Sequence, residues 1–219
     1  LLYILKIYIL LSFLPAIGIY LVLLNVGLVK NTLARVFVVL LFFFLGLVGF
    51  VQLSDTMEKG IGNFAKEGIE ERIVDLQDSY KVQQNRGGEG SYFTLGVTYD
   101  GSMVSLLKTA PAAINATLFR PYIWESKKIS TILSSIESLI LMLFTISVLL
   151  RCGIRPFFGA IFRKSAVLFC FIFSISFALF VGASTLNFGT LVRYKIPCMP
   201  FYVIMLFLIL YYNDKLIKK

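Results

Sequence analysis

The stretch from Gln52 to Lys128, QLSDTMEKGIGNFAKEGIEERIVDLQDSYKVQQNRGGEGSYFTLGVTYDGSMVSLLKTAPAAINATLFRPYIWESKK, is polar and lies between long hydrophobic runs. It contains ten of the twelve acidic residues of the chain (Asp55, Glu58, Glu67, Glu70, Glu71, Asp75, Asp78, Glu89, Asp100 and Glu125) and nine of the twenty-one basic ones. The stretch is therefore nearly neutral, and the net charge of +9 comes from the short connections and tails. Lys and Arg in short loops stay cytoplasmic, whereas long loops translocate largely regardless of charge. That split predicts a topology before any motif is read.

Composition points the same way. A 219-residue chain with 58% hydrophobic and 15% charged residues and a mean hydropathy of +0.85 is far more apolar than a soluble domain of this size. The expected class is an all-α integral membrane protein. Cys152, Cys170 and Cys198 are odd in number and lack ligand spacing, so neither a disulfide framework nor a metal site is expected. Histidine is absent, which removes the commonest general base. Any catalysis has to use carboxylates, Lys, Arg, Tyr or bound cofactor groups; the sequence names no cofactor, and no nucleic-acid partner is expected.

A bilayer core takes about 20 mostly apolar residues per helix. Five runs approach that length: about Leu1 to Leu24 with Pro15 inside, Val36 to Leu53, Ile129 to Leu150, Ala166 to Leu186, and Pro197 to Tyr212. The expected architecture is about five transmembrane helices with a roughly 75-residue external loop, divided as 1–53, 54–128 and 129–219. With alternating crossings, Lys30, Arg35, Arg151, Arg155, Arg163, Lys164, Lys215, Lys218 and Lys219 all fall on one side, expected to be cytoplasmic. Reporters fused after Lys128 should therefore behave as external and those after Arg163 or Lys219 as cytoplasmic; inversion at any of the three would overturn the charge assignment. The chain opens inside a hydrophobic run, with neither a basic leader nor a small-residue cleavage site. It reads as a C-terminal fragment, with further helices, or partner subunits, expected to complete it.

Within the external region, Met57, Ile61, Phe64, Ile69, Ile73, Leu76 and Tyr80 recur every three to five positions, which predicts an amphipathic helix from Asp55 to about Val82. Arg86-Gly87-Gly88-Glu89-Gly90-Ser91 is turn-rich and lacks the Lys-Ser/Thr of a phosphate loop. Tyr92 to Thr98 predicts one short strand.

Three places hold candidate functional residues. Leu118-Phe119-Arg120-Pro121-Tyr122-Ile123-Trp124-Glu125 joins aromatic residues suited to a headgroup belt with Arg120, able to grip a phosphate, and Glu125, able to pair with it or act as an acid or base. Glu137 is a carboxylate about eight residues into a predicted membrane helix, costly there unless paired or facing a cavity, and so a functional candidate. Its neighbours Ser130, Thr131, Ser134, Ser135 and Ser138 make that turn polar. Third, Arg193-Tyr194-Lys195-Ile196-Pro197 sits between the last two predicted helices. On an extended chain Arg193 and Lys195 point the same way and clamp a diphosphate.

This last string, followed by Pro200-Phe201 and a final membrane helix, resembles the Arg-Tyr-Arg/Lys-x-Pro segment near the end of polytopic proteins of bacterial surface-polysaccharide assembly. Those include membrane glycosyltransferases that use polyprenyl-phosphate sugars. Leu118 to Glu125 is similar to a Phe-Arg-Pro-x-x-Trp-Glu string of membrane proteins from similar settings. The resemblance covers the C-terminal part and implies a polyprenyl-linked sugar handled at the external face of the inner membrane. Arg120, Arg193, Tyr194 and Lys195 would bind the lipid phosphate, and Glu125 or Glu137 would act as the catalytic carboxylate. The other class open to the sequence is a transporter or accessory subunit whose external loop docks a partner, with Glu137 on a permeation or proton path.

Overall fold

The computed structural model describes residues 2–25, 78–79, 82, 91–96, 103–126 and 128–217. Seven α-helices can be followed among them. They are α1 (Leu2–Asn25), α2 (Met103–Phe119), α3 (Ile129–Cys152), α4 (Ile154–Arg163), α5 (Ser165–Ser184), α6 (Phe188–Tyr194) and α7 (Met199–Ile217), with a 3-10 turn at Ile123–Glu125. The expected run Val36 to Leu53 and nearly all of the expected amphipathic helix from Asp55 lie outside the described residues; Asp78, Ser79 and Val82 are helical and exposed.

Hydrophobicity fixes which helices can span a bilayer. Thr131–Cys152 and Ser165–Ser184 are long and apolar enough to cross one, and α6 with α7 makes a third candidate if the pair, bent by 61°, is one broken span. Within α1 the apolar segment is shorter, Ser12–Val22, with Pro15 exposed on it. The described residues thus contain two or three candidate spans, where the sequence suggests five in the whole chain.

α5 is the hub, packed against α1, α2, α4 and α7. It is apolar around its whole circumference, the pattern of a buried or membrane helix, and buries Val167, Cys170, Phe173, Phe177, Ala178 and Val181. An aromatic seam joins three helices: Phe13 of α1 lies edge-on to Phe169 and Phe173 at 5.8 and 5.9 Å, and Phe173 meets Phe201 of α7 at 4.5 Å. Such edge-to-face contacts add about 0.5–1.5 kcal/mol each beyond area burial.

The sequence reading did not single out α2. Within the region 54–128, the Met103–Phe119 segment is a helix laid along α5. Small residues make this possible. Ser174, Ala178 and Gly182 form a stripe at every fourth position of α5, all buried, and Ala113, Ala116 and Thr117 of α2 face it, each 0% exposed. Close backbone approach at small residues is how helices pack when lipid supplies no hydrophobic drive. Thr117 Oγ1 completes the contact by donating to the Ala178 carbonyl across the interface at 2.7 Å.

In the described part of the expected strand, which ends at residue 96, the pairing is an isolated antiparallel bridge between Tyr92 and Asn187. It is held by Phe93 N–H to Leu186 O at 3.0 Å and Phe188 N–H to Ser91 O at 2.9 Å. In the connection between the last two expected spans, Phe188–Tyr194 is helix α6, so the extended chain on which Arg193 and Lys195 would point the same way does not form. Asn187 caps α6, its side-chain oxygen accepting from the Gly189 and Thr190 amides at 2.8 and 3.4 Å, which satisfies N–H groups that a helix start leaves unpaired.

Candidate functional site

The two strings singled out in the sequence meet, although 75 residues separate them. The chain leaves α2 through Arg120 and the buried Pro121, and Lys195 at the end of α6 donates to the Arg120 carbonyl at 3.3 Å. The same ammonium donates to Ser138 Oγ of α3 at 2.8 Å, and Ser138 in turn donates to the Arg120 carbonyl at 3.2 Å. Lys195 is only 1% exposed. A buried ammonium has to be hydrogen-bonded, and this triangle ties the end of α2, the middle of α3 and the α6–α7 break to one point. Glu137 is close enough to interact with the Lys195 charge.

Arg120 is fully engaged by its neighbours. Its guanidinium pairs with Glu125 in bidentate fashion, Nε to Oε2 at 3.0 Å and Nη2 to Oε1 in closer contact, and Nη1 donates to the Thr94 carbonyl at 3.1 Å. The plane is wrapped by rings, with Cζ 4.5 Å from the Phe93 centroid, 5.3 Å from Phe188 and 5.9 Å from Tyr122. Phe93 and Phe188 themselves stack at 4.5 Å across the Tyr92–Asn187 bridge. Arg is the cation suited to such a cage, being planar, forked and weakly hydrated. Glu125 also accepts from the Tyr122 amide at 3.0 Å. Both partners are mostly sheltered, their side chains 15% and 20% exposed.

This geometry divides the expected site residues. Arg120, Glu125 and Lys195 are brought together, but as the polar joint that locks three segments, most of their hydrogen-bonding groups turned to one another, to Ser138 and to backbone carbonyls. Arg193 does not join them. Residues two apart on a helix point about 200° away from each other, so with Lys195 turned inward Arg193 is exposed, and the clamp expected of an extended chain does not form. Tyr194 is half-buried. Glu137 lies on the outward face of α3 beside the exposed Leu133, Ile136 and Ile140, not inside the bundle. One residue further along the helix, Ser138 turns inward and is 0% exposed. Neither Arg193 nor Glu137 forms an ion pair among the described residues.

Sequence reasoning missed Phe93, Phe188 and the Thr94 carbonyl as partners of Arg120. No local signal marks them, because the Tyr92–Asn187 bridge that assembles them spans 95 positions. Trp124, expected at the headgroup belt, is 80% exposed and stacks on Tyr122 at 4.8 Å. Comparison of the chain with family models, curated proteins and solved structures finds no match.

Proposed function

We propose that the chain is an integral membrane protein of bacterial cell-envelope polysaccharide or glycolipid assembly, acting on a lipid-linked sugar at the external face. The observation that carries this reading is the Lys195 to Arg120 carbonyl bond at 3.3 Å, which unites the two strings on which the resemblance rests. Arg193 is two residues from Lys195, at most about 7 Å of backbone, so an exposed cation stands beside the joint. In this scheme Arg120, Glu125 and Lys195 position the segments, and Arg193 binds the lipid phosphate. Glu137, a carboxylate in no ion pair among the described residues, is the candidate base for an acceptor hydroxyl in a glycosyltransferase-like reaction. Sheltered groups bonded to their neighbours suit a scaffold, whereas an exposed guanidinium keeps its fork for phosphate oxygens.

Binding of undecaprenyl phosphate to the purified protein tests the assignment. Arg193→Ala should weaken it about tenfold, the loss of a charge-assisted bond of about 1.5 kcal/mol, and Arg193→Lys should recover only part of it because lysine lacks the bidentate fork. Unchanged affinity in Arg193→Ala would end the phosphate role.

A second reading has its own observation. The 61° break between α6 and α7 places a buried lysine at an interrupted helix, the construction used by transporters for their binding sites. Substrate-dependent proton or ion flux in proteoliposomes, lost in Lys195→Met, would favour transport over transfer.

A further inference from the structure

We propose that α4 is an interfacial helix that binds anionic phospholipid headgroups on the membrane face where α3 ends and α5 begins. The inference rests on α3 and α5 being membrane spans and is independent of the lipid-sugar reading. Both flanking helices are candidate spans, so a ten-residue helix joining Cys152 to Ser165 is held by connectivity at one bilayer surface.

At 100° per residue α4 has three faces. Phe157, Ala160 and Ile161 are buried against the bundle. Ile154, Phe158 and Phe162 repeat every fourth position within a sector of about 80° and are 68%, 48% and 70% exposed. Three large apolar side chains in a row are not matched to water, and they are matched to the acyl boundary of a leaflet. Arg155 and Arg163 follow in the adjoining sector of about 100°, both exposed, where guanidinium groups reach phosphates.

Charge complementarity identifies the occupant. From Ser138 to Asn213 the chain has no Asp or Glu, while Arg151, Arg155, Arg163 and Lys164 cluster around α4. Lys164 is engaged over the Tyr212 ring at 4.8 Å, and on α4 itself the exposed cations are Arg155 and Arg163. An apolar stripe edged by two exposed arginines fits a negatively charged leaflet better than a neutral one.

Two measurements on the full chain test this. Titrated in detergent and followed by native mass spectrometry, short-chain phosphatidylglycerol should bind several-fold more tightly than phosphatidylcholine. The preference should shrink in each of Arg155→Gln and Arg163→Gln and be largely lost in the double variant; equal binding of the two lipids by the native chain, or a preference untouched by the double variant, would overturn the proposal. In phosphatidylglycerol vesicles, Phe158→Trp in a Trp124→Phe background should be quenched by brominated acyl chains. Water-like, unquenched emission would refute lipid burial, and blue emission without lipid quenching would assign the face to a second copy or another protein instead.

Discussion

Gly182→Ala should loosen the bundle by about 2 kcal/mol, read as a fall of roughly 4 to 8 °C in the melting temperature of the detergent-solubilised protein. A Cβ built at Gly182 stands 2.1 Å from the Ala113 carbonyl oxygen, 2.6 Å from its carbon and 2.7 Å from Thr117 Oγ1. Two of these atoms are backbone, so no rotamer change relieves the overlap and α2 has to move away from α5. Overpacking of this kind costs about 3 kcal/mol, against a gain of about 1 kcal/mol in helix propensity from Gly to Ala. The separation would also strain the Thr117 to Ala178 bond at 2.7 Å. Gly159→Ala is the control: a Cβ there meets nothing within 4 Å, so propensity alone acts and stability should hold or rise. Equal responses at the two positions would show that α2 does not press on α5.

The Arg120–Glu125 pair should give the largest coupling among the described residues. Removing either member leaves a mostly sheltered charge without its partner, which costs about 3–5 kcal/mol at fully buried sites. With side chains 15% and 20% exposed, solvent screens part of this, and about 3 kcal/mol is expected for each single Ala variant. Arg120→Ala additionally loses the Thr94 carbonyl bond and the Phe93 and Phe188 ring contacts, so it should be the more harmful. The double variant should then cost less than the sum by about 2 kcal/mol. Glu125→Gln, which keeps shape and one acceptor, extends the measurement if Glu125→Ala does not fold. Strict additivity in denaturation midpoints would show that the pair is not coupled.

Arg120→Lys sharpens the same point. It keeps the charge but loses the fork and the planar stacking, so it should behave more like Ala than like the native residue. The roles of Arg120 and Arg193 are thereby separable by experiment. Substitution at Arg120 should act on stability, and substitution at Arg193 on phosphate binding with little change in melting temperature.

Class and helix extents were legible in the linear chain because they depend on local quantities. The runs read as Ile129 to Leu150 and Ala166 to Leu186 became Ile129–Cys152 and Ser165–Ser184, since a mostly apolar run of bilayer length has one low-energy backbone in lipid. The final run, read from Pro197, begins as a helix at Met199, where Pro200 suits a first turn. That the strings around Arg120 and Lys195 deserve joint consideration was also visible from topology. What tertiary structure alone decided is which of their groups remain available. The helical conformation of Phe188–Tyr194 turns Lys195 inward and Arg193 outward, and the one-residue step from Glu137 to Ser138 exchanges an outward carboxylate for a buried hydroxyl. The Tyr92–Asn187 bridge delivers two rings to Arg120 from segments 95 residues apart. The docking of α2 on Gly182 likewise depends on a backbone contact that no periodicity encodes, because Met103–Phe119, with Lys108, Pro111 and Asn115, announces neither a membrane helix nor a loop until its partner is in place.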